Sequence, residues 1–454
     1  MRERILEAIY KKLEEDQNNI HLQRQITLLS KASICTIHSF CLEVIRNYFY
    51  EINISSNFRI ADTAEIELLK QDVIEELFEN KYLENDSGFL KLLETYTTYR
   101  SDEALAELVL SIYKFIQSSP YPEEWLEEKV NLFKEFETND FGDTEWGKII
   151  LQEIKEEIEN DILKLSTIQR KMSCFPELVK FEATIRNDIQ MLEDFLIHTY
   201  SWNEVHARKD MLLWTKWPSD SKVTLDLKED AKKVRDEVKK SLKDIFDKYL
   251  KDSSQDIFQD LNILYPVLKE IEKLVLEFSD AFESKKRERN CIDFNDIEHF
   301  ALKILKGENG QETEAAKKYR DKFVEIAIDE YQDSNLVQES ILTSISNGKN
   351  IFMVGDVKQS IYKFRQARPD LFLGKYETYK QKENKEEDDN LKIQLFKNFR
   401  SRKNVLDITN LVFESIMSKE LGDIDYNETE YLNLGANYPE PDNSSVNESL
   451  EATG

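Results

Sequence analysis

The sequence predicts an α/β fold: a parallel sheet with its chemistry at the carboxyl edges of the strands, alongside a long helical region. Two strand ends predict the sheet. Residues 324–335 read Val-Glu-Ile-Ala-Ile-Asp-Glu-Tyr-Gln-Asp-Ser-Asn, an apolar strand running straight into the paired carboxylates Asp329 and Glu330. After a helix-like and turn stretch, 334–349, a second apolar run, 350–354, ends in Gly355-Asp356-Val357-Lys358-Gln359-Ser360-Ile361-Tyr362-Lys363-Phe364-Arg365. Ligands of parallel sheets bind outside the carboxyl ends of the strands, which is where both clusters fall. The helical region is predicted by the stretch from about 63 to 285, rich in Glu, Lys and Leu at helical spacing, as in 65–78, 153–165 and 231–249.

Taken in order, the chain opens on Met1-Arg2-Glu3-Arg4-Ile5-Leu6-Glu7, an amphipathic helix start and not a targeting segment. Pro120 and Pro122 punctuate the helical region, and Trp202, Trp214 and Trp217 predict a packed aromatic cluster. Its charged helix faces are expected to be solvated, with Lys285-Lys286-Arg287 a basic face open to phosphates. At Asp329-Glu330 an aspartate can sit beside a magnesium water shell and a glutamate can take a proton from water. A bare Asp-Glu pair is equally a strand followed by a helix start with Asp329 as N-cap. Gly355 lets the chain turn sharply at the strand edge. Gln359 can hydrogen-bond a phosphate oxygen or an attacking water without adding charge. Tyr362, Phe364 and Arg365 offer flat rings for bases and a guanidinium for the backbone, although the two rings alternate as core residues of a strand also do. A third strand-like run, 391–396, leads to Lys397-Asn398-Phe399-Arg400-Ser401-Arg402, where Arg400 can neutralise phosphoryl charge. The Ser/Asn/Glu-rich tail with Pro439 and Pro441 reads as poorly ordered.

These blocks carry a resemblance. Asp329-Glu330-Tyr331-Gln332-Asp333 resembles motif II of superfamily 1 DNA helicases of the UvrD/Rep type, Gly355 to Arg365 resembles their motif III, and Asn398-Phe399-Arg400-Ser401 their motif IV. Thr36-Ile37-His38-Ser39-Phe40-Cys41 is similar to their DNA-contacting motif. Phe58-Arg59-Ile60-Ala61-Asp62 and Ile292-Asp293-Phe294-Asn295-Asp296 look like the A subunits of AddAB-type helicase–nucleases, which pair with an AddB subunit. The resemblance implies a RecA-like P-loop NTPase domain: residues 1–62 its first part, 63–285 a helical insertion, 286–415 the remainder with motifs II to IV, and 416–454 the start of the following region. It implies ATP and Mg2+ as cofactors, with Asp329 positioning the metal, Glu330 as general base, Gln359 sensing the γ-phosphate and Arg400 stabilising its charge. His38 and Ser39 would touch the DNA backbone, Tyr362 and Phe364 would stack on bases, and Arg365 would link the DNA surface to the nucleotide cleft. Alone, His38 reads equally as a satisfied core histidine. The implied activity is ATP-driven translocation on single-stranded DNA, unwinding and resecting broken duplex ends, in the cytoplasm and with no membrane partner. A RecB-like or UvrD-like helicase, or an inactive fragment that binds DNA or a partner, are the alternatives.

One departure is large. No phosphate loop of the form G-x-x-x-x-G-K-[ST] is present. The nearest text, Gly142-Asp143-Thr144-Glu145-Trp146-Gly147-Lys148-Ile149, lacks the terminal hydroxyl, carries two acids where phosphate would lie, and follows no apolar strand. The expectation is a fragment entered partway along the first domain, idle as an ATPase by itself. The net charge of −27 argues against tight non-specific DNA binding, while the block 397–403 is locally basic. The four cysteines, Cys35, Cys41, Cys174 and Cys291, form no C-x-x-C pair and read as reduced thiols, and no apolar run is long enough to span a bilayer.

Overall fold

The computed structural model describes residues 1–96, 101–134, 138–219, 226–307, 310–381, 390–422 and 424–438. The side chain of Arg365 and the tail carrying Pro439 and Pro441 lie outside the described residues. Eight short strands are described: β1 (Arg59–Ile60), β2 (Cys291–Ile292), β3 (Ile326–Ile328), β4 (Ile351–Met353), β5 (Lys380–Gln381), β6 (Leu391–Lys392), β7 (Lys397–Asn398) and β8 (Asn433–Leu434). All pairing is parallel, β1 with β2, β3 with β4, β5 with β6 and β7 with β8. The direction is the one expected, but among the described residues no pair widens into a larger sheet.

Two compact units divide the chain, one of Met1–Val73, Ser111–Pro122 and Ala281–Gly454, the other of Ile74–Leu110 and Glu123–Asp280. In the first unit, helix Phe294–Lys306 packs against helices Ile37–Tyr48 and Leu336–Ser344. Val44, Ile45, Ala301, Leu305 and Ile341 are among the apolar side chains of that core. Each of the three helices starts at a polar cap that satisfies its orphan N–H groups. Thr36 accepts from Ser39 N, Asn335 accepts from Gln338 N, and Asp293 and Asp296 form a reciprocal capping box. β1 and β2 bring together the blocks around Arg59 and Ile292, far apart in sequence, with Arg59 opposite Cys291 and Ile60 opposite Ile292.

The second unit is helical and centres on helix Glu145–Met172, against which helices Val179–Leu196 and Asp226–Tyr249 pack. Ile154, Ile158, Leu165, Phe181, Leu192 and Val238 are buried there. Trp202 is buried and meets Phe141 edge-on at 4.9 Å, whereas Trp214 and Trp217 flank the guanidinium of Arg235 at 5.7 and 5.6 Å. The tryptophans thus share one core without stacking on one another. The segment 142–149 is a 3₁₀ turn, Phe141–Asp143, followed by a helix N-capped by Thr144. A Cβ on Gly147 would lie 1.9 Å from Phe141 O, so this glycine serves helix packing and does not open a phosphate cradle.

Three expectations change. The strand-like run 391–396 is β-structure only at Leu391–Lys392; a separate strand, β7, follows it, since each piece has a different partner. Lys286 is not on an open basic face: it is buried and paired with Asp293 at 3.1 Å and Asp296 at 2.5 Å. Burial pulls its pKa down, but the charges of Asp296 and Asp293 outweigh that and the net shift is upward. Tyr362 and Phe364 do not alternate along a strand; they flank the start of a 3₁₀ turn, Lys363–Arg365.

Candidate functional site

β3 ends at Ile328, and Asp329 and Glu330 follow it, both exposed. Glu330 is held in the left-handed region at φ 52°, a conformation uncommon for a residue with a side chain and a store of backbone strain. That backbone turns the chain into the 3₁₀ segment Tyr331–Asp333. Tyr331 is buried: its N–H donates to Val354 O at 2.9 Å, its hydroxyl bonds Glu339 and Lys375, and Lys375 pairs with Glu339 at 2.6 Å. The paired carboxylates therefore stand on an anchored base.

Gln332, 1 % exposed, joins the two strand ends. Its Nε2 donates to Glu330 Oε2 at 2.8 Å, and its Oε1 accepts from Asp356 N at 3.0 Å. Asp356 Oδ2 in turn accepts from Gln359 Nε2 at 3.1 Å. A continuous hydrogen-bonded path thus runs from Glu330 through Gln332 and Asp356 to Gln359. Gly355 permits it: an added Cβ would lie 2.6 Å from Gln332 Oε1 and 3.3 Å from Phe372. Close approach, not a left-handed turn, is what this glycine supplies, since positive φ occurs at Gly307, Gly310 and Gly348 and not here.

Lys358 steadies the same loop, paired with Asp356 at 3.0 Å and Glu430 at 2.8 Å. Burial alone would lower its pKa, but the hydrogen bond to Glu430 and the charge of Asp356 leave it raised. Asp333 is pushed up by burial and by the charge of Glu330, and its Oδ1 is buried without a partner.

The other expected residues stand apart. Tyr362 and Phe364 lie 5.9 Å apart with their planes tilted at 50°, and Phe364 is 74 % exposed, which excludes a core role for that ring. Arg400 is exposed on the turn after β7, shaped by Asn398 Oδ1, which accepts from Arg400 N and Ser401 N at 2.9 Å each. No hydrogen bond or ion pair joins the Arg400 side chain to Asp329, Glu330 or Gln359 among the described residues. His38, half-buried, stands at the start of helix Ile37–Tyr48 with Nε2 3.3 Å from Glu298 Oε1. Ser39 is exposed, its hydroxyl 3.0 Å from that of Thr36.

Gln332 sits inside a motif legible in the sequence but carries no role there, and Asp356 and Glu298 are equally silent. Only the amide's position between two strand-end acids hints at a bridge.

Chemically, two adjacent carboxylates at a strand end suit a hard divalent cation that keeps most of its water. No group of three or more His, Cys, Asp or Glu among the described residues is disposed to hold a metal alone. A magnesium ion carried in on phosphates, needing only one or two carboxylates, fits this set.

Residues 1–380 match the family model of the UvrD/REP helicase N-terminal domain, and the chain belongs to that family. It is 43 % identical over 454 residues to the ATP-dependent helicase/nuclease A subunit of Clostridioides difficile, covering 96 % of this chain and 35 % of that protein. The protein of the same name from Clostridium kluyveri is 44 % identical over 447 residues, 96 % and 36 % covered. That of Acetivibrio thermocellus is 42 % identical over 454 residues, 97 % and 36 % covered. The chain spans about a third of the length of these curated relatives.

Proposed function

We propose that this chain forms part of the motor of an ATP-dependent DNA helicase–nuclease subunit that moves on single-stranded DNA and helps to unwind and resect broken duplex ends. The observation that carries the reading is the path from Glu330 to Gln359, set in a chain of the UvrD/REP family. It gives the proposed general base and the proposed γ-phosphate sensor a shared support.

In this reading a RecA-like domain, residues 1–62 and 286–415, is interrupted by a helical insertion, 63–285, with 416–454 beginning the next region. Asp329 holds the magnesium of bound Mg-ATP, and the metal supplies charge neutralisation on the phosphates. Glu330 accepts a proton from the attacking water, its carboxylate oriented by Gln332 Nε2. Gln359 reaches the γ-phosphate with an uncharged amide, and Arg400 meets the developing charge from the turn after β7. Tyr362 and Phe364 stack on bases, Arg365 links that surface to the nucleotide, and His38 and Ser39 touch the DNA backbone. An AddB-type subunit is the partner and the cytoplasm the place of work; no helix among the described residues is long and apolar enough to cross a membrane.

The 454 residues contain no G-x-x-x-x-G-K-[ST] loop, which supports a second statement about this chain in isolation: it does not hydrolyse ATP by itself. The test takes both forms. In the intact subunit carrying this sequence, Glu330→Gln is expected to lower ATP hydrolysis by about two orders of magnitude or more while nucleotide binding persists. In the isolated chain, turnover is expected at background with or without the substitution. Retained hydrolysis by the intact Glu330→Gln subunit would exclude Glu330 as the base.

A further inference from the structure

Glu298 has no part in the proposed hydrolysis, yet polar side chains from two other helices converge on it. It is 7 % exposed, on the helix whose first turn also carries Phe294, one turn away on the same face. Gln338 Nε2 donates to its Oε1 at 2.8 Å and Asn335 Nδ2 to its Oε2 at 3.2 Å. His38 Nε2 lies 3.3 Å from Oε1, and the ring of Phe294 meets that of His38 edge-on at 6.1 Å.

A carboxylate so deeply placed is costly to keep unless its oxygens are engaged. Two amides hydrogen-bond these, and the imidazole stands at ion-pair distance from one of them. Asn335 is already committed at its Oδ1, which caps helix Leu336–Ser344 by accepting from Gln338 N at 2.8 Å, so its amide is held in one orientation. The carboxylate is thereby fixed before His38 is considered, and the imidazole meets a preset acceptor. The arrangement is the one by which an outer carboxylate sets the tautomer and tilt of a functional histidine.

We propose that Glu298 is a positioning residue for the DNA surface: it holds the His38 ring with Nε2–H toward its own carboxylate and leaves Nδ1 as the ring's polar atom for a DNA phosphate. The proposal rests on the reading of His38 as a DNA contact. A phosphate accepts a hydrogen bond at Nδ1 only from a ring that carries an N–H there as well as at Nε2, placed between carboxylate and phosphate. Asn335 and Gln338, which hold the other side of Glu298, belong to the segment that follows Asp329-Glu330 directly. One buried carboxylate therefore touches both the helix carrying the DNA motif and the segment leaving the hydrolytic pair.

The experiment uses the 454-residue chain. Side-chain nitrogen NMR at mildly alkaline pH is expected to show His38 protonated at Nε2, and Glu298→Ala to shift the ring toward a mixture of tautomers. Binding of an oligo(dT) strand is expected to weaken about fivefold for Glu298→Gln. It should weaken at least as much for His38→Ala, and no further when the two are combined. Unfolding midpoints of the variants, measured in parallel, separate loss of fold from loss of position. A His38 tautomer indifferent to Glu298 overturns the proposal whatever the DNA result. Equal weakening by Glu298→Gln with and without His38 overturns it as well. A tautomer that follows Glu298 together with a His38→Ala chain that binds oligo(dT) as the native chain does leaves the positioning intact and refutes instead the DNA-contact reading of His38.

Discussion

Gln332 shows how much one amide can decide. Its two polar ends are both used, one on the Glu330 carboxylate and one on the backbone N–H of Asp356, and it is buried, so a misplaced end loses a hydrogen bond that water does not replace. Gly355 is the condition for that placement. Gly355→Ala drives a methyl group to within 2.6 Å of Gln332 Oε1 and 3.3 Å of Gln332 N; the backbone atom cannot step aside as a flexible side chain can. The substitution is expected to destabilise the first unit by about 1–3 kcal/mol, measured by urea unfolding. In the intact subunit it should lower ATP turnover more than it changes nucleotide affinity. An unchanged unfolding midpoint would mean that the loop after β4 has room the geometry denies it. Glu298 makes the complementary point about legibility. It is one of 89 acidic residues, and nothing in its neighbourhood in sequence separates it from the solvated ones; only three partners from distant segments do.

At the scale of elements, what sequence disclosed followed from how local the cause was. β3 and β4 were legible because an apolar run that stops abruptly at acids or glycine marks the edge of a sheet, and both lie inside the predicted runs. The long helices were legible from spacing: the predicted segments 65–78, 153–165 and 231–249 fall within Thr63–Glu84, Glu145–Met172 and Asp226–Tyr249. The run 391–396 differs from a single strand because its ladder partner, β5, pairs only with Leu391–Lys392, whereas the chain resumes pairing at β7 against β8. Lys286 was misjudged because its acids arrive only after the chain turns back through β2. The same holds for the pair at the centre of the helical unit. Arg235 and Asp188, 2 % and 1 % exposed, bond through Nη2–Oδ1 at 3.1 Å, and Arg235 also donates to Thr215 O. Two tryptophans cover the guanidinium. Removing one partner leaves the other charge buried and uncompensated, so Arg235→Ala is expected to cost about 3–5 kcal/mol. Replacing both partners by apolar residues of similar volume should cost less than the single change. Denaturant unfolding of the single and double variants checks the order, and a double variant weaker than the single would exclude this account.

For the molecule as a whole the balance to explain is a DNA-binding proposal in a chain of net charge −27. Long-range attraction to a polyanion is unfavourable at that charge, so affinity must come from short-range terms: stacking, and a few local cations. In the proposed reading the exposed Phe364 and the ring of Tyr362 at 5.9 Å would supply the first. In the same reading Lys397 and Arg402, within the basic block 397–403, would supply the second; Lys403 is already paired with Asp407 at 2.8 Å. The two terms answer differently to salt. Stacking releases no counterions, whereas each phosphate contact by a cation contributes to the fall of affinity with ionic strength. Tyr362→Ala and Phe364→Ala are therefore each expected to weaken oligo(dT) binding by about 1–3 kcal/mol with an unchanged salt slope. Lys397→Ala should flatten the slope by somewhat less than one unit, as the loss of a single phosphate contact on a single strand requires. Titrations of a labelled strand at several salt concentrations read both quantities from one data set. A steep slope that survives Lys397→Ala, combined with indifference to the two aromatic substitutions, would move the DNA surface away from the loops after β4 and β7.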